Sequence, residues 1–294
     1  MNKVIVVVGP TAVGKTKLAI DLARHYGIDV ISGDSIAIYK ELDIGSAKPT
    51  IEEQKLAKHH LIDILDVCEE YSAYDFQVAA RKLIDENPLS LICGGTGLYI
   101  QSALFDYEFE ASKRDDAYAK KYEGYSNIEL YELLKSRDSK LDEKRIHPNN
   151  RKRVLRALEV LETTGKSIMD FANASKPLYD YFIVYLSMNR ERLYQRINER
   201  VDLMINNGLI TEAEKLYQKN CYIKGIGYGE LFEYFANKIS LEEAIDKIKK
   251  NSRHLAKRQE TWFRNQMKSH FYEINDYDKT LKNIIKDIDE WLKQ

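Results

Sequence analysis

Eight consecutive residues near the start of the chain, Gly9-Pro10-Thr11-Ala12-Val13-Gly14-Lys15-Thr16, have the make-up of a phosphate loop: two glycines separated by four residues, closed by a lysine and a hydroxyl residue. In such a loop successive backbone N–H groups at a helix N-terminus point at phosphate oxygens, Lys15 adds a positive charge, and the Thr16 hydroxyl can hold Mg2+. The ligand chemistry this predicts is a diphosphate or polyphosphate. Asp34, in Gly33-Asp34-Ser35, is a carboxylate that could take a proton from an incoming nucleophile or orient magnesium through water; it could equally serve as a turn or cap residue. Thr96, in Gly94-Gly95-Thr96-Gly97, reads either as a substrate hydrogen-bonding group or as a turn hydroxyl.

Cationic residues form three further groups. Arg192, Arg196 and Arg200 recur every fourth residue and would make a ridge on one helix face, able to close over phosphate or to pair with nearby acids. Arg151, Lys152, Arg153 and Arg156 open a helical pattern, where positive charge opposes the helix dipole; a phosphate backbone would favour it. Residues 247–268 carry eight Lys or Arg against the single acid Glu260, with Arg253, Lys257 and Arg264 on one face and Trp262 and Phe263 as aromatic surface. Each basic run also fits a plain solvated helix face. His59-His60 beside Asp63 reads as a packing or hydrogen-bonding pair rather than a metal site.

The elements that must position these groups are legible as periodicities. Val4-Ile5-Val6-Val7-Val8 is a continuous β-branched run, as in a buried strand, and residues 17–26 repeat apolar positions at helical spacing. Strand, glycine loop and helix therefore follow in the order a phosphate site needs. Asp29-Val30-Ile31-Ser32 predicts a strand with Asp34 just past its carboxyl end, the edge where α/β sheets bind ligands. Ser90-Leu91-Ile92-Cys93 predicts another, running into the glycine turn at Thr96, and residues 181–188 a fourth. Many phosphate-loop NTPases place a magnesium-binding Asp after a buried strand; here the run at 90–93 ends in Gly94-Gly95-Thr96, which weakens a plain ATPase reading. Residues 108–178 are rich in charge and helical patterning and poor in strand signals, as an inserted helical lobe would be.

Composition excludes little and bounds much. The chain has 294 residues, enough for one large domain or a core with an inserted lobe, and 45 Lys plus Arg nearly balance 46 Asp plus Glu, so a nucleic-acid surface must be a local patch. Three cysteines, Cys68, Cys93 and Cys221, lack paired spacing; this predicts inert thiols in a reducing compartment and no structural zinc. No basic leader with a cleavage site precedes the first strand, and no apolar run approaches membrane-spanning length, which predicts a cytoplasmic protein with no membrane partner.

Taken together and in order, the motifs resemble the bacterial-type tRNA dimethylallyltransferases, or tRNA isopentenyltransferases. Matching stretches are the 9–16 loop, Gly33-Asp34-Ser35 with Tyr39, Asp43-Ile44-Gly45-Ser46-Ala47-Lys48-Pro49, His59-His60-Leu61-Ile62-Asp63, Tyr71-Ser72-Ala73-Tyr74-Asp75-Phe76 and Gly94-Gly95-Thr96-Gly97-Leu98-Tyr99. Later ones are Ile146-His147-Pro148-Asn149, residues 153–159 with Gly165-Lys166, Gly225-Ile226-Gly227-Tyr228, and Ala256-Lys257-Arg258-Gln259 with Thr261-Trp262-Phe263-Arg264. Ser46 stands where Thr is common, Ala37 where many members have Gln, and Ala119, after the acidic turn at Asp115-Asp116, where an Arg is expected.

The resemblance implies transfer of a dimethylallyl group from dimethylallyl diphosphate to N6 of adenosine 37 in tRNAs that read codons beginning with U. The phosphate loop then holds the leaving diphosphate, which explains the missing acidic residue after the third strand, although loops of this type also bind nucleotides such as ATP. By motif, Asp34 is the general base and Thr96 contacts the reacting nucleotide. The 9–16 loop with Arg192 and Arg196 binds diphosphate, and Thr16 binds Mg2+. Asp34, Ser35, Ile36, Ala37, Thr96, Lys152, Arg153, Val154, Leu155, Arg156, Gly227 and Tyr228 fall in stretches that touch tRNA. The fold expected is α/β: a P-loop NTPase-like core (1–107 and 179–294) with a parallel sheet and flanking helices, interrupted by a helical lobe (108–178) that would clamp the anticodon stem-loop of tRNA. A monomer is expected. A nucleoside or nucleotide kinase shares the loop and the arginine ridge, but has no use for two basic helices; a nucleotide-gated RNA-binding module would dispense with catalysis at Asp34.

Overall fold

The structure, a computed structural model, describes residues 1–109, 117–171, 176–223 and 225–294; the acidic turn at Asp115-Asp116 lies outside them. Six strands form one sheet: β1 (Lys3–Val8), β2 (Val30–Ser32), β3 (His59–His60), β4 (Leu89–Cys93), β5 (Asp180–Ser187) and β6 (His270–Glu273). Their spatial order is β3-β2-β4-β1-β5-β6, and every pairing is parallel. Parallel neighbours require crossovers, and helices supply them: α1 (Lys15–Tyr26), α2 (Ile51–Leu56), α3 (Ala73–Asp85) and α4 (Gly97–Leu104) in the first part of the chain, α5 (Asn127–Arg137) and α6 (Arg151–Thr164) in the middle, and α7 (Arg190–Asn206), α8 (Leu209–Gln218), α9 (Tyr228–Phe235) and α10 (Leu241–Gln266) in the last, with α11 (Tyr277–Leu292) following the final strand.

The central strand β1 explains why the first run of valines is uninterrupted. Flanked by β4 and β5 and covered on both faces, it leaves Val4 to Val8 with no exposed surface, so alternation would place a polar side chain in the core. On one face Ile5, Val7, Val184 and Leu186 pack against Leu18 and Leu22 of α1, Leu193 and Ile197 of α7, Ala256 of α10, and Ile284, Ile288 and Trp291 of α11. A second apolar cluster lies under α8, α9 and α10 and takes in Leu42, Leu209, Tyr228, Leu231 and Ile248. Local signals set the helix ends: α3, α5 and α10 each begin with a capping box, on Ser72, Ser126 and Ser240, and α1 stops at Gly27, whose φ of 67° an L side chain adopts only with strain.

Two compact units result, Met1–Leu104 with Tyr179–Gln294, and Phe105–Leu178. The second has its own core of Tyr122, Leu130, Tyr131, Leu134, Ile146, Val154, Ala157 and Leu158. The expectation of three unpaired thiols fails: Cys68 and Cys221 form a disulfide, with Cα atoms 5.4 Å apart, and Cys93 alone is free. Their separation of 153 residues carries no spacing signal; the fold alone brings the segment after β3 against the α8–α9 connection. Among the described residues no helix is long and apolar enough to cross a membrane.

Candidate functional site

Because β1, β2 and β4 are parallel neighbours, their carboxyl ends deliver three loops to one edge. Ser32 pairs in register with Cys93, the Gly33 N–H donates to Cys93 O (2.8 Å), and the Gly94 N–H donates to Val7 O (3.1 Å). The 9–16 loop, the Asp34 turn and the Gly94-Gly95-Thr96 turn thus leave from adjacent strand ends. The approach is close enough that a Cβ on Gly94 would overlap the Gly33 backbone, and one on Gly9 the carbonyl of Leu186. A small cavity of about 70 Å³ opens where the loops meet, lined by Lys15, Thr16, Ser32, Asp34, Cys93 and Gly94 on its polar side and by Ala19, Val30, Ala37, Pro49 and Ile62 on its apolar side.

In the 9–16 loop, Gly14 (φ 107°) caps α1 with no side-chain bond, so the first N–H groups of the helix stay free for a ligand. Lys15 Nζ donates to Gly9 O (3.0 Å) and Pro10 O (2.8 Å). Burial lowers its pKa to about 8, opposed by the nearby Cys93 and Asp34 and reinforced by Arg200. Arg200 is itself desolvated, with Asp34 and Arg196 as its charged neighbours. Arg196 reaches the same loop, its Nε donating to Ala12 O (3.1 Å). Arg192 is exposed, and its guanidinium has no partner among the described residues, its backbone N–H being taken by the Asn189 cap. The ridge therefore feeds the site through its inner two members, and Arg200, not Arg192, faces the charges there. Three cations around one carboxylate suit a polyanionic ligand.

Asp34 closes a turn and also reaches the cavity. Its Oδ1 accepts from the N–H groups of Ile36 (2.8 Å) and Ala37 (3.2 Å), closing a turn, while Oδ2 has no hydrogen-bond partner among the described residues and the side chain lines the cavity. Thr96 precedes α4, its carbonyl accepting from Tyr99 and Ile100; its hydroxyl carries no partner among the described residues. Burial pushes the Cys93 thiol up to about 11, so it is protonated at neutral pH. His59 is a hydrogen-bonding group, as its sequence context predicts, and also lines the cavity; its Nδ1 lies 2.7 Å from Ala57 O, and burial lowers its pKa, which favours a neutral ring donating from Nδ1.

No cluster of three His, Cys, Asp or Glu occurs among the described residues. The side chains with oxygen donors that line the cavity are Thr16, Ser32, Asp34 and Ser46, the last with its hydroxyl already bonded to Leu42 O. That set fits Mg2+, which keeps several waters and draws other ligands from substrate phosphates.

A family model described as IPP transferase matches residues 37–266, and one described as isopentenyl transferase matches residues 2–67. The chain belongs to the IPP transferase family. It is 47% identical over 285 residues to the tRNA dimethylallyltransferase of Anoxybacillus flavithermus, covering 94% of this chain and 91% of that protein, and 45% identical over 306 residues to that of Enterococcus faecalis, covering 100% and 99%. The full-length tRNA isopentenylpyrophosphate transferase of Bacillus halodurans has a similar structure, with a TM-score of 0.76, 40% identity, and coverage of 100% and 97%.

Several positions that family motifs nominate are not at the surface of this IPP transferase. Tyr228 is fully buried and its hydroxyl donates to Glu212 (2.7 Å); Gly227, also buried, caps α9 with its N–H on Glu230 (2.8 Å). Neither presents a face to an RNA. In α6, Val154 is core and Leu155 packs against it, because positions three and four apart on the helix face inward. Arg156 is paired with the buried Glu159 (2.8 Å), which leaves Lys152 and Arg153 as the exposed cations of the stretch. In α10, Phe263 is fully buried and Trp262 fills the space beside Gly97, so neither is free aromatic surface; Arg253 bonds Asn198 and Arg264 pairs with Glu260. Lys257 and Arg258 stay exposed.

Two supports had no local signal. Gln259 of α10 accepts from the Thr11 N–H (2.9 Å) and donates to Gly95 O (3.1 Å), tying the 9–16 loop to the glycine turn. Lys48 is buried, with Nζ on Asp43 (2.6 Å), Asp63 (2.5 Å) and Tyr39 O (3.0 Å). Replacing Lys48 by methionine should cost roughly 1–3 kcal/mol, discounted for the solvent that screens the two half-exposed carboxylates; urea denaturation measures it, and an unchanged midpoint would show the ion pairs to be idle.

Proposed function

We propose that this protein transfers a dimethylallyl group from dimethylallyl diphosphate to N6 of adenosine 37 in tRNAs reading codons that begin with U. The single observation that carries the reading is the shared cavity: Lys15 and Thr16 of the 9–16 loop and an unpartnered carboxylate oxygen of Asp34 meet there, with apolar surface from Ala19, Val30, Ala37 and Ile62 beside them, which supports a core like that of P-loop NTPases. The N6 lone pair attacks C1 of the donor. The C1–O bond breaks, its electrons leave on the diphosphate, and the N6 proton passes to Asp34. An adenine amine is a poor nucleophile, since its lone pair is delocalised into the ring, so the barrier falls mainly through placement, a base and a stabilised leaving group. The N–H groups at the start of α1, Lys15, Arg196 and Arg200 meet the growing negative charge. Mg2+ held at Thr16, and through water at Asp34, would neutralise the same diphosphate.

The tRNA contacts assigned here are the Asp34–Ala37 turn, Thr96 and the exposed cations of α6. Unstacking a base from the anticodon loop costs a few kcal/mol, which phosphate contacts can offset. Exchanging Lys152 and Arg153 together for alanine should weaken tRNA binding and lower the slope of log K against log salt by roughly 1 to 2, whereas Arg156, already paired, should contribute less. Titrations at several salt concentrations test this; an unaltered slope removes α6 from the interface. For the activity itself, the protein is incubated with dimethylallyl diphosphate, Mg2+ and unmodified tRNA, and the nucleosides are analysed for N6-prenyladenosine. Rapid ATP consumption with no such product would instead favour a kinase.

A further inference from the structure

Segment 43–49 forms one wall of the cavity, where Ser46, Ala47, Lys48 and Pro49 stand opposite Lys15 and Asp34. It is irregular backbone, with Ala47 at φ 50°, and turns on itself through short-range bonds: the Ala47 N–H to Ile44 O (3.0 Å), the Lys48 N–H to Asp43 O (3.2 Å) and Lys48 Nζ to Asp43 (2.6 Å). These bonds shape the turn; its 43–45 end is fixed to the rest of the fold by a helix about 170 residues further on. Glu212 of α8 accepts three successive backbone N–H groups: Oε2 takes those of Asp43 and Ile44, and Oε1 takes that of Gly45, each at 2.9 Å. Oε1 also accepts the Tyr228 hydroxyl at 2.7 Å. One carboxylate thus fills four of its acceptor positions, all charge-assisted, and three of the donors belong to consecutive residues. The fit is steric as well, since a Cβ on Gly45 would overlap the Tyr228 ring.

We propose that Glu212, braced by Tyr228, is a positioning residue that latches segment 43–49 against the cavity and thereby sets the affinity for the prenyl diphosphate. This rests on the functional reading above. Lys48 anchors the far end of the same segment on Asp63, so the two attachments span its length. Freed at Glu212, the segment keeps the Lys48 bonds to Asp63 and Tyr39 O at its far end, while its 43–45 end is no longer fixed and the wall it presents to the donor loosens. Neither Glu212 nor Tyr228 lines the cavity, so the effect passes through the segment and not through substrate contact.

Glu212→Gln separates the latch from packing. The amide keeps the shape but turns one acceptor oxygen into a donor, setting an NH2 against the backbone N–H groups it should receive. The KM for dimethylallyl diphosphate should rise at least about tenfold, with kcat lowered less than about threefold and tRNA affinity unchanged, the pattern expected when ground-state binding is lost. Tyr228→Phe, which keeps the ring, should raise the same KM by about threefold. The double variant should fall short of the product of the two, because both act on one latch. An unaltered KM in Glu212→Gln, or a fall confined to kcat, overturns the proposal. If Glu212→Gln fails to fold, Tyr228→Phe decides it, and a wild-type KM there is fatal. Lys15→Met run alongside separates the two levels: if it binds the donor normally the functional reading fails, while loss of binding in Lys15→Met with none in Glu212→Gln sinks the latch alone.

Discussion

Replacing Asp34 by asparagine should lower kcat by at least about two orders of magnitude while leaving the folded protein and its tRNA affinity nearly intact. Asparagine is the informative choice because the two oxygens of Asp34 are placed differently. Oδ1 closes a turn by accepting from Ile36 and Ala37, and an amide oxygen can do the same; Oδ2 is the free oxygen at the cavity, and an NH2 in its place cannot take a proton. Asp34→Ala removes both functions and should add a stability cost of about 1–2 kcal/mol from the two lost hydrogen bonds. Single-turnover rates with preformed enzyme–tRNA complex, alongside thermal melts, separate the contributions. Should Asp34→Asn retain activity within about tenfold of the parent, the carboxylate is a turn residue and the base lies elsewhere.

The parts of the site visible in the sequence are those whose geometry is local. Five β-branched residues in a row can only be a covered strand, and a glycine loop placed directly after it must sit at the strand's carboxyl end, so the 9–16 loop and Asp34 followed from neighbours within a few positions. The same logic gave β5, seen at Asp180–Ser187, and α6. It failed for β6, whose His270 and Phe271 are exposed, because an edge strand four residues long has no burial pattern to advertise. Supports reached across the chain were equally silent: Gln259 to Thr11, Glu212 to Gly45, Cys221 to Cys68. Tyr228 shows how motif and structure can part. Its place in a glycine-rich stretch suggested an exposed contact, whereas its ring is core and its hydroxyl serves Glu212. Helical spacing shows that Arg192, Arg196 and Arg200 share a face but not which end of that face meets the site; in the fold Arg196 bonds the 9–16 loop and Arg200 has Asp34 as a charged neighbour.

Lys15 supplies the second large effect and gives it a pH signature. Burial holds its pKa near 8, so in the free enzyme the ammonium is mostly charged at pH 7 and mostly neutral by pH 9. Raising the pH through that window removes the cation that attracts the diphosphate, whereas a bound diphosphate favours the charged form and pulls its titration higher. The expected result is a kcat/KM for dimethylallyl diphosphate that declines above about pH 8 with a slope approaching −1, with kcat at saturation holding to higher pH. Donor ionisation, near 6 for a phosphate ester, is complete below this range and cannot cause the fall. Cys93 titrates too high to contribute, at about 11, and His59 too low, since burial depresses it. Lys15→Met should cost about two to three orders of magnitude in kcat/KM at pH 7 and abolish the alkaline limb altogether. Persistence of that limb in Lys15→Met would assign it to another group; its absence from the parent would mean that the ammonium stays charged throughout, and that the desolvation of Lys15 is offset by Asp34 more completely than burial alone suggests.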